Sequence, residues 1–347
     1  MKELIIENKI ISSDQPSFII AEIGQAHEGS LGMAHSYIDA VADVGVDAIK
    51  FQTHIAKSES TYDEKFRIKF SNQDNTRYEY WKRMEFTLDQ WRELKTHANQ
   101  RGLIFLSSAF SFEAFNLLNS IGMPAWKIGS GEFKSNELIE KMILTKKPIL
   151  YSTGMSYWKE IDEAVDFLIK NKAEFAIFQC TSQYPTKPEN VGINLIKEFL
   201  QKYNVPVGLS DHTGKFFSSL SAITLGANLI EVHVVFNKKM FGPDVSSSLD
   251  FRELSLLKEG RDAIFEYLSK PVNKNLLAEE FSGIRKLFTK SIGIIKDLKK
   301  GDILTEQLII PKKPGTGIPF EKKHEIIGKK LIKDVDSNFL LRLNDIE

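Results

Sequence analysis

The runs V-G-L-S-D-H-T at 207–213 and, after a helical segment, L-I-E-V-H-V-V at 229–235 decide the fold. Each apolar run ends in or encloses a histidine beside an acid: Asp211 and His212 in the first, Glu231 and His233 in the second. A histidine inside a Val/Ile/Leu run costs free energy unless its ring nitrogens find partners. If the runs are neighbouring parallel strands, His212 and His233 emerge near the same end of a sheet. Two imidazoles meeting there make a natural divalent-metal site with open coordination positions.

Six further strand-like runs precede this pair: F-I-I-A-E-I-G at 18–24, A-I-K-F-Q-T at 48–53, L-I-F-L-S-S at 103–108, A-W-K-I-G-S at 125–130, P-I-L-Y-S-T-G at 148–154 and A-I-F-Q-C-T-S at 176–182. Helical segments alternate with them, among them 88–100, 112–121 behind Ser111, and 136–147. Eight buried-type strands alternating with helices predict a closed parallel α/β barrel, the (β/α)8 or TIM barrel, over residues 1–268. The polar and aromatic segment 58–81 reads as a long loop on the barrel mouth. Residues 269–285, polar and lysine-bearing, read as a linker, and 286–347 as a small turn-rich module that needs a larger surface to dock on.

Bulk properties exclude several classes of function. Forty-six basic residues balance 46 acidic ones, so neither a nucleic-acid-binding surface nor a basic tail is expected. The single cysteine, Cys180, precludes an internal disulfide and suits a reducing compartment. The charge-interrupted N-terminus lacks a signal-peptide core, and no apolar run is long enough to span a bilayer. A cytoplasmic protein without membrane partners is the expectation.

In such a barrel, chemistry sits at the C-terminal strand ends. Every strand end but the fifth carries polar groups: Glu22; Lys50, Gln52 and Thr53; Ser107 and Ser108; Lys127, Ser130 and Glu132; Thr181, Ser182 and Tyr184; Ser210, Asp211 and His212; Glu231 and His233. Two lysines among hydroxyls form an anion cradle, most simply for phosphate. Taken singly, Lys50, Glu22 and Glu132 are compatible with structural ion pairs, and His212 with a hydrogen-bonded structural role. Together they stack more desolvation cost on one face than a purely structural barrel carries. Cys180 reads as a packing residue without an adjacent histidine, His35 and His97 as helical surface or boundary residues, and His54 as close to the site without a clear role.

At these residues the sequence resembles the sialic acid synthase family, the N-acetylneuraminate synthases and their legionaminic and pseudaminic acid relatives. The motifs are A-E-I-G at 21–24, I-K-F-Q-T at 49–53, K-I-G-S-G-E at 127–132, S-T-G-M at 152–155, Y-P-T at 184–186, G-L-S-D-H at 208–212, E-V-H at 231–233 and G-P-D at 242–244. K-D-L-K-K-G-D at 296–302 and K-P-G-T-G-I at 313–318 resemble the antifreeze-like (SAF) module that follows the barrel in that family.

The resemblance implies a C–C bond-forming transferase that condenses phosphoenolpyruvate with an open-chain N-acylated amino sugar, giving a nonulosonic acid and phosphate. It implies that His212 and His233 bind manganese or magnesium. Lys50, Lys127, Ser108, Ser130, Ser182 and Ser210 hold phosphoenolpyruvate, and Glu22, Gln52, Tyr184 and Asp244 orient the sugar and the metal-side water. Glu132 transfers a proton near carbon 3 or the attacking water. The family's domain-swapped homodimer places the module of one copy over the partner's barrel, where an arginine before P-G reaches the sugar's N-acyl group; here that residue is Lys313. Lys290, Ser182 and the Q-A-H-E-G run at 25–29 also depart from the family pattern and bear on which sugar is used. The alternatives are a synthase of the Kdo-8-phosphate or DAHP type acting on a phosphorylated sugar, and a catalytically silent sugar-binding barrel.

Overall fold

The computed structural model describes residues 2–66 and 68–347, which form two compact units, Met1–Ser269 and Lys270–Glu347. In the first unit a short antiparallel hairpin, β1 (Leu4–Ile6) and β2 (Lys9–Ile11), precedes eight parallel strands. These are β3 (Phe18–Gly24), β4 (Ala48–Thr53), β5 (Ile104–Ala109), β6 (Trp126–Ile128), β7 (Ile149–Ser152), β8 (Phe175–Cys180), β9 (Val207–Asp211) and β10 (Leu229–Val234). Hydrogen-bonded neighbours run β5-β4-β3-β10-β9-β8-β7-β6, and β5 lies alongside β6 without ladder bonds, so the barrel is nearly closed. All eight predicted runs are strands, with β9 and β10 adjacent and in parallel register.

Strand periodicity sorts the side chains. Outward residues such as Ile19, Ala21, Ile49, Phe51, Phe105, Ile177 and Ile230 pack with the surrounding helices. Inward residues Ile20, Ala48, Leu106, Ala125, Leu150, Ala176, Phe178 and Leu229 fill the lower barrel interior. Gly208 is required here, because a Cβ would stand 2.6 Å from the Phe178 ring and 2.9 Å from the Leu229 carbonyl. Leu4, Ile6 and Ile11 join this inner cluster, so the hairpin plugs the end opposite the polar strand termini.

The helices follow the expected caps: Ser30 accepts from Met33 N, Ser111 accepts from Ala114 N, and Thr87 forms a reciprocal box with Gln90. The segment expected to be loop over 58–81 is partly helical. Ala56–Glu59 is one turn, and Arg77–Met84 is a helix started by the Thr76–Glu79 capping box. Its Tyr80, Trp81 and Met84 form a separate small core with Ala56, Phe66 and Phe70.

In the second unit, the stretch expected to be a linker carries two helices, Lys274–Glu280 and Ser282–Phe288. Asn273 caps the first by accepting from Asn275 N and Leu276 N, and L-L-A-E-E propagates it. The rest is short-stranded: β11 (Ser291–Ile294) pairs antiparallel with β12 (Ile309–Lys312), around Ile292, Ile294, Leu304, Leu331 and Leu341. Among the described residues no helix is long and apolar enough to cross a membrane.

Candidate active site

One residue step further along the inward faces, the lining turns from apolar to polar. Register places Glu22 beside Lys50 on β3 and β4, Gln52 beside Ser108 on β4 and β5, Ser210 beside Glu231 on β9 and β10, and Glu22 beside His233 on β3 and β10. The side chains interlock. Lys50 Nζ lies 2.5 Å from Glu22 Oε2, 3.8 Å from Glu231 Oε2 and 3.4 Å from Ser108 Oγ. Lys127 Nζ donates to Ser152 Oγ at 2.6 Å and stands 3.5 Å from Glu231 Oε1. Ser210 Oγ donates to the same Glu231 oxygen at 3.1 Å, and Gln52 Nε2 donates to Glu22 Oε1 at 2.8 Å. Lys50 and Lys127 are each 3 % exposed, so neither charge is relieved by bulk water.

The two carboxylates beside Lys50 are pushed apart. Burial, reinforced by the charge of Glu231, raises Glu22 to about 7 despite Lys50. Burial also works against Glu231, but Lys127 and Lys50 together, with the histidines, hold it down at about 2. Glu22 has the shorter lysine contact, yet Glu231 keeps its charge because it faces both lysines. Burial lowers Lys127 even with Glu231 beside it, whereas Glu22 and Glu231 raise Lys50 against its burial.

His212 and His233 do meet: their ring centroids are 5.4 Å apart. His212 Nδ1 is 2.9 Å from the Thr181 carbonyl, which places a proton on Nδ1 and leaves Nε2 as the nitrogen that could face a cation. The Tyr184 ring stacks on His212 at 4.2 Å, with its hydroxyl 3.2 Å from Nε2. Burial, His212 and Lys50 hold His233 well below the usual imidazole range, so it is neutral. Burial lowers His212 as well, but Cys180, the Thr181 carbonyl and Glu231 raise it to about 9. This donor set fits a divalent cation. Among the described residues no group of three or more His, Cys, Asp or Glu is arranged to hold a metal, so a cation held by this pair would need water or ligand oxygens to complete its coordination.

One cavity of about 510 Å³ is lined by Glu22, Lys50, Gln52, Ser108, Lys127, Ser130 and Glu132, together with Ser182, Tyr184, Ser210, His212, His233 and Asp244. Lys313 belongs to the second unit, where its Nζ lies 5.0 Å over the Phe288 ring. Glu132 Oε2 accepts from Ser135 Oγ at 2.6 Å. Gly154 keeps the hydroxyls of Ser130 and Ser182 together, since a Cβ there would collide with both.

Two sequence readings need correction. The fifth strand does contribute a polar group: Ser152 lines the cavity and holds Lys127. Its signal was the hydroxyl in S-T-G-M at 152–155. Cys180 is buried, as expected, but it has a histidine beside it: its Sγ lies 3.9 Å from His212 Nδ1 and 3.4 Å from Ser130 Oγ. That histidine is adjacent across the sheet, not along the chain. His35 and His97 are half-buried on their helices, as expected of boundary residues, and face each other with Nδ1 atoms 2.8 Å apart.

Residues 37–273 match the sequence profile described as the NeuB family. The chain is 33% identical over 332 residues to the N,N'-diacetyllegionaminic acid synthase of Campylobacter jejuni, covering 94% of this chain and 99% of that one. It is 31% identical over 340 residues to the pseudaminic acid synthase of Helicobacter pylori, covering 96% and 98%. Its fold superimposes on the crystal structure of the N-acetylneuraminic acid synthetase of Leptospira borgpetersenii with a TM-score of 0.72 and 27% identity, over 82% of this chain and 96% of that one.

Proposed function

Because this chain belongs to the NeuB family, we propose that it condenses phosphoenolpyruvate with an open-chain N-acylated amino sugar, N-acetylmannosamine or a 2,4-diacetamido-trideoxyhexose, to a nonulosonic acid. One observation carries the reading: two buried lysines share a hydroxyl-lined cavity with a facing histidine pair. Lys50 and Lys127, with Ser108, Ser130, Ser152, Ser182 and Ser210, hold the phosphate and carboxylate of the enol ester. Glu22, Gln52, Tyr184 and Asp244 orient the sugar. Manganese or magnesium, when bound by His212 and His233, supplies Lewis-acid polarisation of the sugar aldehyde.

Carbon 3 of the enol ester attacks the aldehyde carbon, water adds at carbon 2, and C–O cleavage releases phosphate. The lysines hold the anionic groups in place while charge shifts, and Glu132 takes the water's proton. No step needs a covalent enzyme intermediate. We take residues 286–347 to act as a cover supplied by a second copy in a homodimer, with Lys313 near the N-acyl group.

The test is phosphate release from phosphoenolpyruvate with a panel of sugars: N-acetylmannosamine, mannose, the two 2,4-diacetamido-trideoxyhexoses and arabinose 5-phosphate. Turnover of an N-acylated sugar, lost on chelation and in His233→Ala, is the expected result. Turnover of arabinose 5-phosphate alone would overturn the proposal in favour of a sugar-phosphate synthase.

A further inference from the structure

His54 lies just past β4 and lines the same cavity, but nothing above gives it a task. Its ring is sandwiched between Trp81 at 3.8 Å, inclined 18°, and Phe110 at 4.3 Å, inclined 10°. Both ring nitrogens are engaged: Nδ1 lies 2.5 Å from Glu59 Oε1, and Nε2 lies 3.2 Å from Gln52 Oε1. The imidazole can therefore neither tilt nor turn without breaking two stacks and two polar contacts.

Hydrogen-bond direction follows from the far end of the chain. Glu22 has Lys50 on one carboxylate oxygen and Gln52 Nε2 on the other. The amide thus turns its NH2 to Glu22 and its carbonyl to His54, and a carbonyl accepts. His54 must then donate from Nε2 to that carbonyl and from Nδ1 to the Glu59 carboxylate, which also only accepts, so both ring nitrogens carry protons.

We propose that His54, clamped by Glu59, Trp81 and Phe110, is a positioning residue that fixes the donor and acceptor ends of the Gln52 amide for sugar selection. This deepens the proposed function and rests on its placing Gln52 against the sugar. An unrestrained glutamine amide turns over and accommodates any hydroxyl, since a hydroxyl both donates and accepts. A locked amide offers one donor and one lone pair at fixed points, and so discriminates between epimers. Helix Arg77–Met84, which supplies Trp81, is thereby connected to the substrate side of the cavity.

The direct test is steady-state kinetics on the full chain. His54→Phe keeps an aromatic ring between Trp81 and Phe110 but removes the donor. The Michaelis constant for the sugar should rise about tenfold, with that for phosphoenolpyruvate changing less than about twofold. His54→Gln, which can return an N–H near the lost Nε2, should recover part of that loss. An unchanged sugar constant in His54→Phe, or equal changes for both substrates, overturns the inference. A second measurement is independent of turnover: nitrogen-15 spectra of the imidazoles, with the His54 signal identified by its disappearance in His54→Phe. A proton on Nε2 supports the inference, and a bare Nε2 overturns it even if no sugar in the panel is turned over. Absence of turnover with every sugar would instead count against the proposed function.

Discussion

The two ends of the barrel interior are built from the same strands and are equally buried, yet they do opposite things. On β3 the inward residues are Ile20 and then Glu22; on β4 Ala48 and Lys50; at β6 Ala125, just before the strand, and Lys127; on β7 Leu150 and Ser152; on β10 Leu229 and Glu231. Two residues along each strand separate a layer that gains free energy from burial from one that loses it. Glu22, Lys50, Lys127 and Glu231 are all under 7 % exposed. The hairpin plug and the apolar layer supply stability that lets the charged layer stay fixed. Preorganised charge on buried, fixed side chains is what a reaction with shifting anionic charge requires.

The sharpest way to break this contrast is to exchange the chemistry of one layer for that of the other. Lys127→Met carries the lower layer's character upward. Phosphate release should fall by about a thousandfold or more in kcat/KM, while thermal stability holds or rises because a buried charge is gone. Retained activity with a large loss of stability would mean that Lys127 is structural. Leu150→Ala makes the complementary change below. It should cost about 2–5 kcal/mol in denaturant unfolding but leave kcat at low temperature within about twofold. A variant as stable as the parent would show that the lower layer is not what holds the barrel.

The same contrast explains what could be read in advance. All eight staves were legible because each is a short apolar run, and the site was legible because expensive residues such as Lys50, Lys127 and His233 interrupt those runs. The hairpin was not, because Leu4, Ile6 and Ile11 have meaning only against the inner cluster they plug, and charges separate them in sequence. Helix Arg77–Met84 was missed among polar residues, although T-x-x-E at 76–79 marks its start. Contacts across strands, such as Cys180 with His212, and the enclosure of His54 by Glu59, Trp81 and Phe110, join residues that only the closed barrel brings together.

The smallest effect concerns the one carboxylate in the polar layer that does not keep its charge cheaply. Glu22 is raised from 4.5 to about 7 in the folded chain, chiefly by burial. Below pH 4.5 it is protonated in both states and contributes nothing. As pH rises from 4.5 towards 7, the unfolded chain releases this proton while the folded chain retains it, so stability falls by at most about 3 kcal/mol. Glu231 has the opposite sign: with its folded value at about 2, it contributes stability above pH 4.5 that is lost as pH drops towards 2. Urea unfolding at a series of pH values, read as the difference between the parent and Glu22→Gln, isolates the first of these. The decline between pH 5 and 7 should flatten in the variant, while the loss below pH 4.5 persists. An identical slope in both proteins would mean that Glu22 is ionised throughout, its contact with Lys50 outweighing its burial, and that the charged layer resembles an ordinary paired network more than a strained one.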